Sequence, residues 1–541
     1  MPVTIAATME IHRFMLEATE RYGRDEFDAA ASLCERVLEL SAEFPEALHL
    51  LGLCRWKQQD LRAALDLLAQ AQVSKPGDAQ LWHHLGILRN ESGDIAGAQT
   101  AFRRAAELNP RNTESHYNLG VTCETLGDAG GAEAEYRRTL ALNNHHGGAA
   151  AGLATLCEAR NQIDEAGRWL EIALRENPQD AVANLTRAQL DFRAGRYRET
   201  VVRLEAQLKR PLSPVNRSLT LGRLGMAYDH LGQTDDAFDA FMQAKNVLRE
   251  SLGDVATDNN LYSLAVAACI QRMSAELVKN ANALTDAAAA VSPVFLLGFP
   301  RSGTTLLDQI LSTHSRIVVL EEKETLRDVL TDYAASDARL AQFAGADDVI
   351  LRRYRERYWA RVAEFMPERP RDRLFIDKLP LNTMLLPLIH RLFPASPIIF
   401  ALRDPRDVVL SCFMQSFEPN AAMRHFFTLE STVEYYAAVM AVGRTALEAL
   451  PGRIHRLRYE DLVEDTEAEA RRLLAFLHLG WEPAVLDFHK TARQRRINTP
   501  SYHQVAQPIY STSRERWRRY EKHLQSALPR LQSFVKFFGY A

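Results

Sequence analysis

Small and bulky apolar positions return every 34 residues along the first half of the chain. Gly52, Gly86, Gly120, Ala154 and Ala188 form one series, Ala64, Ala98, Ala132 and Ala166 a second, and Leu68, Phe102, Tyr136, Leu170 and Leu204 a third. Three registers with one step predict stacked helix pairs: a small residue on the first helix lets the second approach, and a bulky one fills the remaining gap. Pro76, Pro110 and Pro178 open successive units. The pattern runs from about Pro45 to Leu208, with a less regular helix ahead of it. LTLGRLGMAYDHLGQTDDAFDAFMQAKNVL adds one more unit after an interruption at KRPLSPVNRS. Roughly six or seven helix pairs are expected.

The period stops after NVLRESLGDVATDNN, and LYSLAVAACIQRMSAELVKNANALTDAAAA, without proline, reads as connecting helix rather than flexible linker. From Pro293 the apolar runs VFLLGF, RLFIDK, PIIFALR and RIHRLRY alternate with helical stretches, which predicts a parallel sheet with helical crossovers. The expected organisation is multidomain. An all-α superhelix spans 1–250, a helical connector 251–292, and an α/β three-layer domain 293–541.

Length and charge narrow the partners. At 541 residues the chain exceeds what one hydrophobic core supports. With 65 basic and 69 acidic residues its net charge is -4, so no global field draws in nucleic acid or an anionic membrane, and any anion site must be local. The six cysteines include no CxxC pair and read as reduced thiols, with no zinc site. MPVTIAATMEIHRFMLEATERYG lacks a basic region followed by a sustained apolar core, and no run of about 18 apolar residues occurs. A cytoplasmic protein without membrane or nucleic-acid partner is expected; the oligomeric state is not legible.

Two stretches carry chemistry. VFLLGFPRSGTTLLDQILSTH reads as strand, glycine-bounded turn and helix, and matches the phosphate-loop form G-x-x-x-x-G-K-S/T except that Thr304 replaces lysine. Backbone N–H groups at the helix start, the helix dipole and the side chains of Arg301, Ser302, Thr304 and Thr305 suit an anion, with packing alone as the bland alternative. The missing lysine is the one that reaches β and γ phosphates in triphosphate enzymes, so a ligand without a γ phosphate and without a metal is favoured. PIIFALRDPRDVVLSCFMQSF repeats the strand–turn–helix order. Arg403 closes the strand, Pro405 suits the first helical turn, and Ser411 lies eight residues after the arginine, where one phosphate could meet both. Two cradles imply a ligand with two separated phosphates.

The first half resembles the tetratricopeptide repeats, whose curved surface implies either a protein or peptide bound in its groove or a scaffold that dimerises or supports the other half. The stretch Pro300–Thr305, PRSGTT, with RDPRDVVLS about a hundred residues on, resembles the sulfotransferases that use 3′-phosphoadenosine-5′-phosphosulfate. It is most similar to the tyrosylprotein-sulfotransferase-like branch, through the arginine of PRSGTT and through LEEKETL, DKLPLN, LRYEDLV and TPSYHQVAQPIYSTSRERW. The resemblance covers Pro293 to about Leu531. It implies that the first loop (Pro300, Arg301, Ser302, Gly303, Thr304, Thr305) holds the 5′-phosphosulfate and the second (Arg403, Ser411) the 3′-phosphate.

The resemblance also implies Glu322 as general base, with Glu321 as fallback, Lys378 on the leaving phosphate and sulfuryl oxygens, and Ser501 as donor to the bridging region. For Lys378 the plainer alternative is a salt bridge with Asp377. Tyr459 is read as approaching the nucleotide, or else as core. Arg514, Arg516, Arg518 and Arg519 around Trp517 form a basic segment that could close over the 3′-phosphate or be a solvated helix face. The leading reading is a metal-free sulfotransferase whose repeats recruit a protein or peptide acceptor. The alternatives are the same transfer to a glycan, lipid or small aromatic alcohol, a P-loop kinase or nucleotide hydrolase, and a non-catalytic repeat scaffold.

Overall fold

Asp60, Asp94 and Asp128, again 34 apart, each accept the backbone N–H three residues on and so start the second helix of successive repeats. Pro76, Pro110 and Pro178 stand three residues before the helices Ala79–Glu91, Thr113–Thr125 and Ala181–Arg193. Their carbonyls accept from the side chain six residues later: Trp82 (2.9 Å), His116 (3.2 Å) and Asn184 (3.0 Å). A computed structural model describes residues 5–253, 262–282, 292–334, 336–370, 372–417, 422–450, 452–488 and 514–540.

The chain divides into two units, Met1–Arg196 and Tyr197–Ala541. The first is helical throughout, from Ile5–Gly23 (α1) to Ala181–Arg193 (α11). Its packing follows the period: a Cβ on Gly86 would stand 2.6 Å from the Phe102 ring and one on Gly120 2.7 Å from the Tyr136 ring, while Gly52 meets Leu68 in the same way. Ala64, Ala98, Ala132 and Ala166 are fully buried. At Gly52, Gly86 and Gly120 the small position therefore meets the bulky position of its own repeat. The buried thiols of Cys34, Cys54, Cys123 and Cys157 lie in this unit, and all six cysteines are unbridged.

The second unit opens with α12 (Tyr197–Leu208), α13 (Pro214–His230) and α14 (Thr234–Leu252), in which Gly225 faces Phe241 as the repeat rule requires. Next comes α15 (Leu264–Asn282). It packs on α18 (Asp337–Ala344), α20 (Leu386–Leu392) and α22 (Leu429–Ala449). Tyr262, just ahead of α15, donates to Asn382 (2.9 Å), and its carbonyl accepts from Tyr435 (2.7 Å).

Five parallel strands follow: β1 (Val294–Leu297), β2 (Ile317–Glu321), β3 (Leu374–Lys378), β4 (Ile398–Leu402) and β5 (Ile454–Arg458). They pair in the order β2-β3-β1-β4-β5. Four of them are the apolar runs read from sequence. The fifth, β2, is the apolar run IVVLE at one edge of the sheet, with three of its five residues half-buried. Along β1, Val294 and Leu296 enter one core with α16 (Thr304–Ser312) and α24 (Thr466–Phe476), while Phe295 and Leu297 enter the other with α20, α21 (Pro405–Met414) and α22. The sheet thus lies between two helical layers, and the chain reverses direction across it at β1, where α/β proteins place ligands beyond the strand ends. Among the described residues no helix is long and apolar enough to cross a membrane.

Candidate active site

β1 delivers the first loop. The Gly298 amide donates to Thr383 Oγ1 (2.9 Å), and its carbonyl accepts from the same hydroxyl (2.5 Å). A Cβ there would stand 2.7 Å from the Ala401 carbonyl oxygen of β4, so only glycine permits this approach. Arg301 (φ 72°) and Gly303 (φ 95°) turn the loop through the left-handed region. For arginine this costs on the order of 1 kcal/mol, a strain that functional loops tolerate. Gly303 is the N-cap of α16 and offers no side chain to cap the first turn. Ser302, Thr304 and Thr305 are buried at that turn, and the Ser302 amide is spent within the loop on the Phe299 carbonyl (3.1 Å).

The second loop is built differently. Pro405 begins α21 as expected, but Asp404 caps the helix by accepting from the Arg406 amide (2.9 Å), and it also holds the Arg406 guanidinium at 2.9 and 2.6 Å. Asp404 thus occupies the helix start, which leaves Arg403 and Ser411 as this loop's candidate anion-binding groups. Side-chain contacts join the loops. Arg301 Nε donates to Ser411 Oγ (3.0 Å), Arg403 Nη1 to the Arg301 carbonyl (3.3 Å), and Cys412 Sγ to the Pro300 carbonyl (3.3 Å). Tyr459, the first residue of α23 (Tyr459–Glu464), lies against both, with its ring 4.8 Å from the Arg403 guanidinium and its Cδ2 2.9 Å from where a Gly303 Cβ would be.

The third component lies at the β2–β3 edge. Glu321 and Lys378 are register partners, and the following residue, Glu322, takes φ 49° and donates its amide to the Lys378 carbonyl (2.7 Å). The fully buried Lys378 ammonium donates to Glu322 Oε1 (3.0 Å) and Glu321 Oε1 (3.1 Å), with Asp308 Oδ2 at 3.9 Å. Burial pulls its pKa down, but Glu322, Asp308 and Glu321 outweigh burial and hold it above the ordinary lysine value. The Asp377 salt bridge does not form. Successive strand residues point to opposite faces, and Asp377 instead accepts from Thr325 (2.6 Å) and Tyr358 (2.9 Å), its carboxyl raised to about 6 by burial. α16 links the components, since its start shapes the first loop and its Asp308 reaches Lys378.

The structure thus brings together Pro300, Arg301, Gly303, Arg403, Ser411 and Tyr459, and beside them Glu321, Glu322 and Lys378; Ser501 lies outside the described residues. Sequence reasoning missed Asp308 and Thr383. Asp308 had a signal, a charge inside TTLLDQILS, where every residue from Thr304 to Leu311 is buried. The basic C-terminal segment is committed elsewhere: Arg514 pairs with Glu464 (3.3 Å), Arg518 with Glu515 (2.9 Å), and Arg516 and Arg519 with Asp229 (2.8 and 3.1 Å). Among the described residues no group of three or more His, Cys, Asp or Glu is arranged to hold a metal ion.

Residues 293–483 match the model of the sulfotransferase family. The chain carries a C-terminal sulfotransferase-family domain. That match contains both loops, Glu322, Lys378 and Tyr459, and ends before Ser501. Ahead of the sulfotransferase domain, tetratricopeptide-repeat models match residues 22–85, 85–146 and 124–190. An uncharacterized protein of Aquifex aeolicus (strain VF5) is 29% identical over 62% of this chain and 44% of its own length. The nodulation protein NoeE of Sinorhizobium fredii is 30% identical over 39% of this chain and 56% of its own. Protein-tyrosine sulfotransferase 2 of Gallus gallus is 27% identical over 36% of this chain and 53% of its own. The chain spans about half the length of the relatives it matches here. Among solved structures, a tetratricopeptide repeat protein from Parabacteroides merdae is 18% identical over 44% of this chain and 93% of that one, with a TM-score of 0.37.

Proposed function

We propose that the sulfotransferase domain moves the sulfuryl group of 3′-phosphoadenosine-5′-phosphosulfate to an acceptor hydroxyl, with tyrosine of a protein or peptide brought by the repeats as the acceptor. The observation that carries this reading is the junction of the two loops: Arg301 bonds Ser411 while Arg403 bonds the Arg301 carbonyl. One continuous basic cradle at the ends of β1 and β4 suits a ligand with an anion at each end. The similarity to protein-tyrosine sulfotransferases, at 27% identity or less over about two fifths of the chain or less, supports the acceptor class.

In this reading Arg301, Ser302, Thr304 and Thr305 hold the 5′-phosphosulfate end, Arg403 and Ser411 the 3′-phosphate, and Tyr459 covers the side of the nucleotide. The acceptor oxygen forms its bond to sulfur as the bond from sulfur to the 5′-phosphate oxygen breaks, and adenosine 3′,5′-bisphosphate departs. The acceptor proton goes to Glu322. A carboxylate is a weak base beside a phenolate, so the proton moves late, once bond formation has acidified the oxygen. Lys378 neutralises charge on the leaving and equatorial oxygens, and its three carboxylate neighbours keep it protonated. Ser501 completes the bridging region.

The test is transfer from sulfur-labelled donor in cell extract. Label is expected in protein from the wild type, and Glu322→Ala should lose at least about 100-fold in rate while keeping its affinity for adenosine 3′,5′-bisphosphate. Label in glycan, lipid or small phenols instead would move the acceptor class. Magnesium-dependent ATP turnover without sulfur transfer would overturn the reading.

A further inference from the structure

The C-terminal 3-10 segment Arg516–His523 is fixed at two points to the helix pair α13–α14. At the end of α13 the buried Asp229 carboxylate pairs with Arg516 (2.8 Å) and Arg519 (3.1 Å) and accepts from Tyr520 (2.6 Å). At the start of α14, Asp235 holds Lys522 (2.5 Å) and His523 (2.7 Å), and the His523 ring stacks on Phe238 at 4.2 Å. Within the first anchor, next to Arg516, the buried Trp517 turns its backbone amide to Asp407 Oδ1 (2.8 Å), while its ring lies 4.1 Å from the Arg406 guanidinium. Asp407 is itself buried on α21, one turn after Arg403. Its second oxygen, Oδ2, accepts no hydrogen bond among the described residues and faces Arg403 Nη2 at 4.0 Å.

Arg516 and Trp517 are adjacent in the chain, so an anchor on the one fixes the amide of the other. We propose that Asp229 is a positioning residue for Arg403: it seats the C-terminal segment, the Trp517 amide then orients Asp407, and Asp407 sets the guanidinium that takes the 3′-phosphate. The inference rests on the donor reading above, and it makes the last repeat helices a part of the donor site. A buried carboxylate facing two arginines is costly to neutralise, because both guanidiniums lose their partner at once. Asp407 and Ser411, four residues apart, share one face of α21.

The experiment compares the affinities of the full chain for adenosine 3′,5′-bisphosphate and adenosine 5′-monophosphate, which lacks the 3′-phosphate. Wild type is expected to prefer the bisphosphate, and Arg403→Ala to lose that preference. Asp229→Asn should cut the preference at least five-fold while monophosphate affinity stays unchanged, and Tyr520→Phe should cut it by less; the second variant serves if the first does not fold. A purely structural role would weaken both nucleotides in parallel. That outcome, or a wild-type preference retained in the variants while Arg403→Ala loses it, overturns the inference and leaves the donor reading standing. A wild type indifferent to the 3′-phosphate overturns both.

Discussion

Lys378 and Asp377 are neighbours with opposite fates, because a strand sends them to opposite faces. Lys378 meets three carboxylates and stays charged, whereas Asp377 meets only hydroxyls and resists ionisation. Its folded-state value of about 6 lies above the ordinary 3.8, so the folded protein binds the extra proton and stability falls as pH rises from about 4 to about 6. The gap of about two pH units corresponds to roughly 3 kcal/mol. Asp377→Asn is accordingly expected to gain on wild type through that window in urea unfolding, with a flat difference below pH 4. Breaking the other pair works in the reverse direction. Lys378→Met takes a fully buried cation from among Glu321, Glu322 and Asp308 and should destabilise by about 3–5 kcal/mol. Backbone strain marks the same place: Arg301 and Glu322 take positive φ, and no residue pattern announces it.

Elements here are set by contacts one residue wide. The small-to-bulky pairing of the repeats recurs at Gly225 and Phe241, beyond the interruption that hides the period, since backbone proximity within a helix pair depends on one side chain. The same rule governs β1 and β4. Gly298→Ala would press a methyl on a main-chain carbonyl that cannot rotate away, and a loss of about 1–3 kcal/mol in urea unfolding is expected, with weaker binding of the proposed nucleotide because Gly298, held by Thr383, opens the first loop. The carbonyls of Pro76, Pro110 and Pro178 accept from an indole, an imidazole and an amide, so geometry is kept while residue type is not.

For the whole molecule, the boundary between units falls at Arg196, inside the periodic stretch. Lys245 of α14, almost wholly buried, donates to the Gln415 carbonyl (2.5 Å) at the end of α21, and Phe238 lies 5.2 Å from Phe413. A chain beginning at residue 197 is therefore expected to fold and bind adenosine 3′,5′-bisphosphate, while one beginning at residue 254 should expose that face and aggregate; calorimetry on both distinguishes them. The sequence alone determined the helix pairs, the sheet and the residue types of both loops, because hydrophobic period and glycine-bounded turns are local properties. Which carboxylate faces Lys378, how Asp404 occupies its own helix end, and where the C-terminal arginines go were decided only by tertiary structure. Those pairings join residues from tens to nearly three hundred positions apart or turn on a local conformation, and a charge shows in sequence without showing its partner.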